Sequence, residues 1–503
     1  MRFKPPHRPV LLLISALCFS LSFEPLPFWF LAYFFVPLFI AATRDLGFSE
    51  GFRSGYLFGM AISFLTLYWV VYVTTIGVIL LIIVHALYYA ITSGLLAAVT
   101  KRYGTPGLIL FPFVWVAVEY FRSLTQASFP WLNLSYTQAG NLPIVQLAEL
   151  GGDTVVSFFI VAMGSLFYLG YRSLRKPSRV IMIFASAFLV YSAVYLWGAS
   201  RMQTAPADFP VAALQGNIPN EQKWRQGSIE SNLETYASLS EQAKSDSAQF
   251  VLWPETAVPS YLIYDPAYVS WIESIAGKLN IDILTGALQL VRTDDAKKHY
   301  YNSAFFFTPQ GMDRVPYNKH CLVPFGEHMP YAEKIDLLMK FREFVKTKWG
   351  LDISDFEPGD SIRTFKTNGR EFGVLICFEV IYPDFVRAMV NSGAEFLAVI
   401  TNDDWFGKTA GPYQHAAIPI FRAVENRIWI LRAANTGISE IVDPYGRIVA
   451  QTKLGERAAL VGKIGSQAGI TLFQRHGSVL AKICLAVGLM AALFLSFTKG
   501  RHD

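Results

Sequence analysis

Three short stretches carry groups that could do covalent chemistry together. FGVLICFEVIYPD, residues 372–384, sets Cys377 at the end of an apolar run with Glu379 two residues on. A buried free cysteine is ordinarily an inert small hydrophobe. A cysteine at a strand end, just before a turn, can be an exposed nucleophile. Its thiol has an ordinary pKa of about 8.5, so at neutral pH it needs a base or a cation nearby. WPET supplies Glu255, and YNKHCLVPFGE supplies Lys319 and Glu327. A glutamate within hydrogen-bond reach can take the thiol proton. A lysine can hold the negative oxygen of a tetrahedral intermediate, helped by a backbone N–H near Phe378, and losing such a donor costs about 10²–10³ in rate. Each residue alone has a plainer reading: Glu255 as a helix N-terminal acid, Lys319 as a surface charge, Cys377 as core. Cys321 could also pair with Cys377 in an oxidising compartment, which would destroy the nucleophile.

Elements far apart in sequence must bring these groups together. Residues 211–218, 250–256, 282–290, 303–311, 372–379 and 396–403 read as strands, and 227–247 and 266–279 have helical periodicity. Strand–helix alternation predicts an α/β layered domain. Residues 438–452 read as a hairpin turning at Asp443–Gly446.

The rest of the chain is different. It is 53% hydrophobic and 16% charged, against about 25% charged in a soluble chain, which points to a membrane protein. About eight apolar spans are expected, near 9–23, 26–43, 54–73, 76–99, 106–121, 154–171, 179–198 and 478–498. The basic N-terminus and LISALC mimic a signal peptide and a lipoprotein cleavage site. The further spans argue for a retained first helix. Arg2, Lys4 and Arg8, then Arg44 and Arg53, Lys101 and Arg102, Arg172 through Arg179, and Lys499 and Arg501 fall on one side if there are eight spans. The positive-inside rule makes that side cytoplasmic. Trp131 and Tyr136 in the loop 122–153 suit a membrane interface. Glu119 near the end of the fifth span is expected to pair with Arg122. The net charge of +5 shows no basic stripe, so nucleic acid is not an expected partner. With four cysteines, no C-x-x-C and no H-E-x-x-H, neither a metal nor another cofactor is expected.

The order Glu255, Lys319, Cys377 resembles the carbon–nitrogen hydrolase (nitrilase) superfamily. With LQGNIPNEQKW, WPETA, YNKHCLVPFGE, LICFE, NDDWFG and the apolar spans, the whole chain is similar to the apolipoprotein N-acyltransferases within it. That resemblance implies a helical membrane bundle (1–203), a periplasmic nitrilase-like four-layer α-β-β-α sandwich (204–475), and a last span with a cytoplasmic tail (476–503). It implies a bacterial inner-membrane enzyme that transfers an acyl chain from a phospholipid, phosphatidylethanolamine, to a diacylglyceryl apolipoprotein through a Cys377 thioester. It also implies that Glu327 and Glu379 orient Lys319 and the loop around the thiol. Extra carboxylates oppose a thiolate unless paired or protonated. Trp224 and Trp405 would line the lipid path, or simply pack. Many family members have tyrosine after the nucleophile. Phe378 keeps the ring and loses the hydroxyl, so no proton transfer is assigned there. A membrane-tethered amidase sharing the triad is the alternative. A transporter with an outer binding domain is disfavoured by the few charges and the lack of an internal repeat in the spans.

Overall fold

The computed structural model describes residues 7–293, 297–332, 334–349, 354 and 356–497. Arg2, Lys4, Lys499 and Arg501 lie outside them. The chain divides into two compact units. One runs through Gln203 and resumes at Arg475; the other is Thr204–Gln474.

The first unit is helical. Four of its described helices are long and apolar enough to cross a membrane: Phe48–Tyr72, Gly77–Tyr103, Asp153–Arg172 and Pro177–Arg201. Five further apolar helices are shorter: Arg8–Ser20, Leu31–Thr43, Thr105–Phe121, Leu142–Gly151 and Val479–Leu495. A helix of 13 residues such as Arg8–Ser20 rises only about 20 Å, short of the roughly 30 Å hydrocarbon core. Close packing rests on small residues. Gly51, Gly55 and Gly59 recur every fourth position, and a Cβ on Gly55 would fall 2.4 Å from the Tyr89 carbonyl oxygen. Two helices meet here almost backbone to backbone, as small-residue stripes allow in lipid.

One expectation fails in this unit. Glu119 and Arg122 do not form an ion pair. Arg122 donates to His85 Nε2 at 2.7 Å and to Asn133 Oδ1 at 2.7 Å. Glu119 Oε1 accepts from Trp115 Nε1 at 2.9 Å and from the Leu134 N–H at 2.7 Å. The 123–153 segment folds back and supplies partners that i,i+3 spacing does not reveal. Trp131 and Tyr136, in that segment, are buried within the helical unit. Trp131 packs on Trp69, with centroids 5.0 Å apart.

The second unit is built from two sheets. Its strands are β1 (Phe209–Gln215), β2 (Phe250–Leu252), β3 (Val258–Tyr261), β4 (Asp282–Arg292), β5 (Lys298–Thr308), β6 (Gly311–Met312) and β7 (Tyr317–Asn318). They continue with β8 (Thr364–Thr367), β9 (Arg370–Ile376), β10 (Phe396–Thr401), β11 (Trp429–Ala434), β12 (Glu440–Val442), β13 (Ile448–Gln451) and β14 (Ala458–Ile464). One sheet runs β14-β1-β2-β4-β5-β6, with β3 on β4 and β7 on β5; the other runs β13-β12-β11-β10-β9-β8. Helices Ile229–Ser245 and Pro266–Leu279 cover the first sheet, and Pro383–Asn391 and Gly411–Asn426 the second. Leu233, Tyr236, Leu239 and Ala243 recur at helical spacing and are the buried face of the first helix. Strands β9, β10 and β11 are parallel, and their buried runs read as continuous apolar segments, as parallel strands do.

Phenylalanines fill the space between the sheets. Phe372 of β9 lies 5.0 Å from Phe250 of β2, 5.4 Å from Phe306 of β5 and 5.2 Å from Phe396 of β10, centroid to centroid. Aromatic pairs at this distance add about 0.5–1.5 kcal/mol each beyond the area they bury. The helices 227–247 and 266–279 and the hairpin 438–452 form close to where the sequence puts them.

Candidate active site

Glu255 follows β2 on a tight turn. Its neighbour Thr256 has φ +47°, which is unfavourable for a β-branched residue. The turn lies directly on β4 at Gly286, where a Cβ would fall 2.5 Å from the Thr256 nitrogen and 2.7 Å from Glu255 Cα. Lys319 follows β7, which pairs with β5, and its N–H is bonded to the Asn302 carbonyl at 2.8 Å. Cys377 stands where β9 passes into the short helical turn Cys377–Ile381, with φ +53°. A non-glycine residue held there costs about 1–3 kcal/mol and persists only where its surroundings enforce it.

These elements bring Glu255, Lys319 and Glu327 together. Lys319 Nζ is 2.8 Å from Glu327 Oε1 and 3.5 Å from Glu255 Oε1. Asn302 Nδ2 donates to Glu255 Oε1 at 2.7 Å and to Glu327 Oε1 at 3.3 Å. The Asn402 N–H donates to Glu255 Oε2 at 2.9 Å, and the Val323 N–H to Glu327 Oε2 at 2.9 Å. Burial pulls the Lys319 ammonium down, but Glu327 and Glu255 outweigh it and hold its pKa above the ordinary value. Burial pushes the Cys377 thiol well up; Glu255 pushes the same way and Lys319 pulls back. All three groups therefore act on one another. Cys321 and Cys377 are both free thiols.

Glu379 does not face Lys319 directly. It clamps the loop around it. Its Oε1 accepts the Tyr317 hydroxyl at 2.8 Å and the N–H groups of His320 at 2.5 Å and Cys321 at 3.2 Å; its Oε2 accepts the Ile376 N–H at 2.7 Å. One carboxyl thus ties the Lys319 loop to the strand end before Cys377. Burial raises its pKa to about 7, against the pull of the Ile376 and His320 N–H groups. Phe378 is buried, edge-on to Tyr382. Trp224 and Trp405 are about half exposed, at 46% and 48%. Their segments are laced by Asn220 N–H to Asp404 Oδ2 at 2.6 Å and Asn402 Nδ2 to Asn220 Oδ1 at 2.8 Å. Among the described residues no cluster of three or more His, Cys, Asp or Glu is placed to hold a metal.

Residues 210–469 match the carbon-nitrogen hydrolase family, and residues 15–166 match the apolipoprotein N-acyltransferase N-terminal domain. Over 99% of its length the chain is 33% identical to the apolipoprotein N-acyltransferase of Geobacter metallireducens, covering 97% of that protein. The chain belongs to the apolipoprotein N-acyltransferase family. It is also 30% identical to the apolipoprotein N-acyltransferase of Pseudomonas aeruginosa, over 83% of this chain and 79% of that one. Among solved structures, an amidase from Nesterenkonia sp. is similar at 20% identity with a TM-score of 0.38, covering 52% of this chain and 92% of that one. As an apolipoprotein N-acyltransferase with helices long and apolar enough to cross a bilayer, the chain is a membrane protein and an enzyme.

The sequence does not single out every group around the site of this apolipoprotein N-acyltransferase. Asn302 looks like an ordinary strand residue. Lys223, in the quoted LQGNIPNEQKW, is fully buried, its Nζ 3.4 Å from the Glu255 carbonyl oxygen and 3.4 Å from Thr256 Oγ1. Burial lowers its pKa to about 8, although Glu255 and Asp404 favour the charged form. His415 and Arg432 sit in no motif quoted above, and both reach Asp403.

Proposed function

We propose that the enzyme takes an acyl chain from a phospholipid, phosphatidylethanolamine, onto Cys377 and passes it to the α-amine of diacylglyceryl-cysteine on an apolipoprotein. Glu255 removes the thiol proton as sulfur attacks the ester carbonyl. Lys319 and the Phe378 N–H hold the oxyanion. The intermediate collapses to a thioester, and the leaving lysophospholipid oxygen recovers the proton from Glu255. The acceptor amine then attacks the thioester and loses its proton to Glu255, which passes it to the departing sulfur, leaving an amide, the Cys377 thiol and the Glu255 carboxylate. Glu327 holds Lys319, and Glu379 holds its loop.

The observation that carries this reading is Lys319 Nζ between Glu327 and Glu255, with its charge acting on the Cys377 thiol, in a chain of this family. Water and an amine compete for any thioester. The apolar helices favour the amine, because both lipid substrates keep their chains in the bilayer, where each buried CH₂ is worth about 0.8 kcal/mol. In this reading the chain makes eight spans, seven in 1–203 and one in 476–503, the short helices Arg8–Ser20 and Leu31–Thr43 crossing together with the apolar residues that flank them. The 204–475 unit lies in the periplasm and both termini in the cytoplasm, following the basic loops. Trp224 and Trp405 present their exposed rings to incoming lipid.

Intact-protein mass spectrometry after incubation with phospholipid alone tests the function. A mass gain of one acyl chain on wild type, absent in Cys377→Ala and discharged by a diacylated lipopeptide, supports it. Steady release of free fatty acid that lipopeptide does not change makes the protein a tethered hydrolase instead.

A further inference from the structure

Beside the Cys377 carbonyl lies a buried polar group that the proposed steps do not use. His415, on helix Gly411–Asn426, is fully buried, as are Asp403 and Arg432 of β11. His415 Nδ1 is 2.8 Å from Asp403 Oδ1, and Arg432 Nη2 is 2.8 Å from Asp403 Oδ2 and 3.2 Å from Nδ1. Thr401 Oγ1 donates to Asp403 Oδ1 at 2.9 Å. Arg432 also donates to the Ile438 carbonyl. The other ring nitrogen, His415 Nε2, is 3.4 Å from the Cys377 carbonyl oxygen.

A carbonyl oxygen only accepts, so Nε2 must carry hydrogen in this contact. Two states allow it: the imidazolium with Asp403, or a neutral ring whose Nδ1 accepts from Arg432. The Cys377 carbonyl belongs to the same planar peptide as the Phe378 N–H. Fixing one end of that plane fixes the other, and a hydrogen bond accepted at the carbonyl strengthens donation by the N–H. The plane needs fixing, because Cys377 is held at φ +53°.

We propose that His415 is a positioning residue for acyl transfer, its Nε2–H holding the Cys377 carbonyl so that the Phe378 N–H is aimed at the oxyanion. Asp403, Arg432 and Thr401 hold the ring in place. The inference rests on the thioester reading above and adds the residues that orient its oxyanion donor.

The test compares two reactions of the same sulfur in wild type, His415→Leu and His415→Gln. Acyl-enzyme formation from phosphatidylethanolamine micelles builds an oxyanion. Alkylation by iodoacetamide displaces iodide at a saturated carbon and builds none. His415→Leu should slow acylation by about 10²-fold, the scale of a misplaced donor, and leave alkylation of Cys377 unchanged. His415→Gln, which keeps an N–H donor, should recover about tenfold of that loss. Unslowed acylation in His415→Leu overturns the inference, as does alkylation that falls in step with it, or acylation in His415→Gln no faster than in His415→Leu. A wild type that forms no thioester removes the functional reading, and the inference with it; any of the other three results, with wild-type acylation intact, removes the inference alone.

Discussion

The Asn402 N–H donates to Glu255 Oε2 at 2.9 Å, across from the end of β10. The proposed base is therefore held by a backbone group of the sheet that carries the nucleophile. One oxygen is held there and the other lies 3.5 Å from Lys319 Nζ, so Glu255 has little freedom to turn away from the thiol. Glu255→Gln keeps the shape and can accept from Asn402, but it cannot take a proton. Acyl-enzyme formation should fall by about 10²–10⁴-fold, read by quenched-flow mass spectrometry with the acceptor withheld. A rate within tenfold of wild type would remove Glu255 as the base.

Lys319 is a buried cation between the buried Glu255 carboxylate and the partly buried Glu327 carboxylate. Lys319→Met leaves Glu255 and Glu327 facing each other unpaired, which costs about 3–5 kcal/mol where one partner of a buried pair is removed. The thermal midpoint in detergent should drop clearly. Lys319→Met combined with Glu327→Gln should lose less stability than the two single changes added together, since the residues share one interaction. Simple additivity would mean that the 2.8 Å contact does not couple them.

Glu379 gives a pH signature. Its pKa is raised from 4.5 to about 7, so the folded protein keeps this proton where the unfolded chain has lost it. Its contribution to stability is therefore full below pH 4.5 and is lost as pH rises towards 7. Activity should run the other way. Tyr317, His320, Cys321 and Ile376 all donate to this carboxyl, and a proton on it puts a donor among donors. Acylation measured without acceptor should rise through about pH 7, and Glu379→Gln should be slow and lose that limb. Persistence of the limb in Glu379→Gln would assign it to another group.

Gly286 is needed for the approach of the WPET turn to β4. Gly286→Ala puts a methyl 2.5 Å from the Thr256 nitrogen, so the turn must move. Acylation should fall by about 10²-fold, the cost of a shift near 1 Å at a reacting group. Circular dichroism should change little. Unchanged acylation would show that the turn tolerates displacement.

Glu255 and Cys377 are legible in the sequence because each follows an apolar strand directly; Lys319, on a loop, is legible only through the motif YNKHCLVPFGE. Their companions are not. Asn302 sits mid-strand, and its role comes from β5 lying beside the Glu255 turn. Helix Gly411–Asn426 is buried almost all round and contains Pro412 and Pro419, so it shows neither a polar face nor a clean period. His415 is hidden with it. The Glu119–Arg122 spacing suggests a pair that the returning 123–153 segment takes apart. Local pattern carries the strands well; partners contributed from distant segments leave no local trace.

Glu255, Asn302 and Lys319 hang from one sheet and Cys377 and Asn402 from the other, so the reach from base to sulfur is set by the thickness of the Phe250–Phe306–Phe372–Phe396 layer. That layer is the gauge of the site. Natural drift in these four rings would be screened first by turnover and only later by folding, and two members of the family with different rings here must have compensated within the layer to keep the same reach.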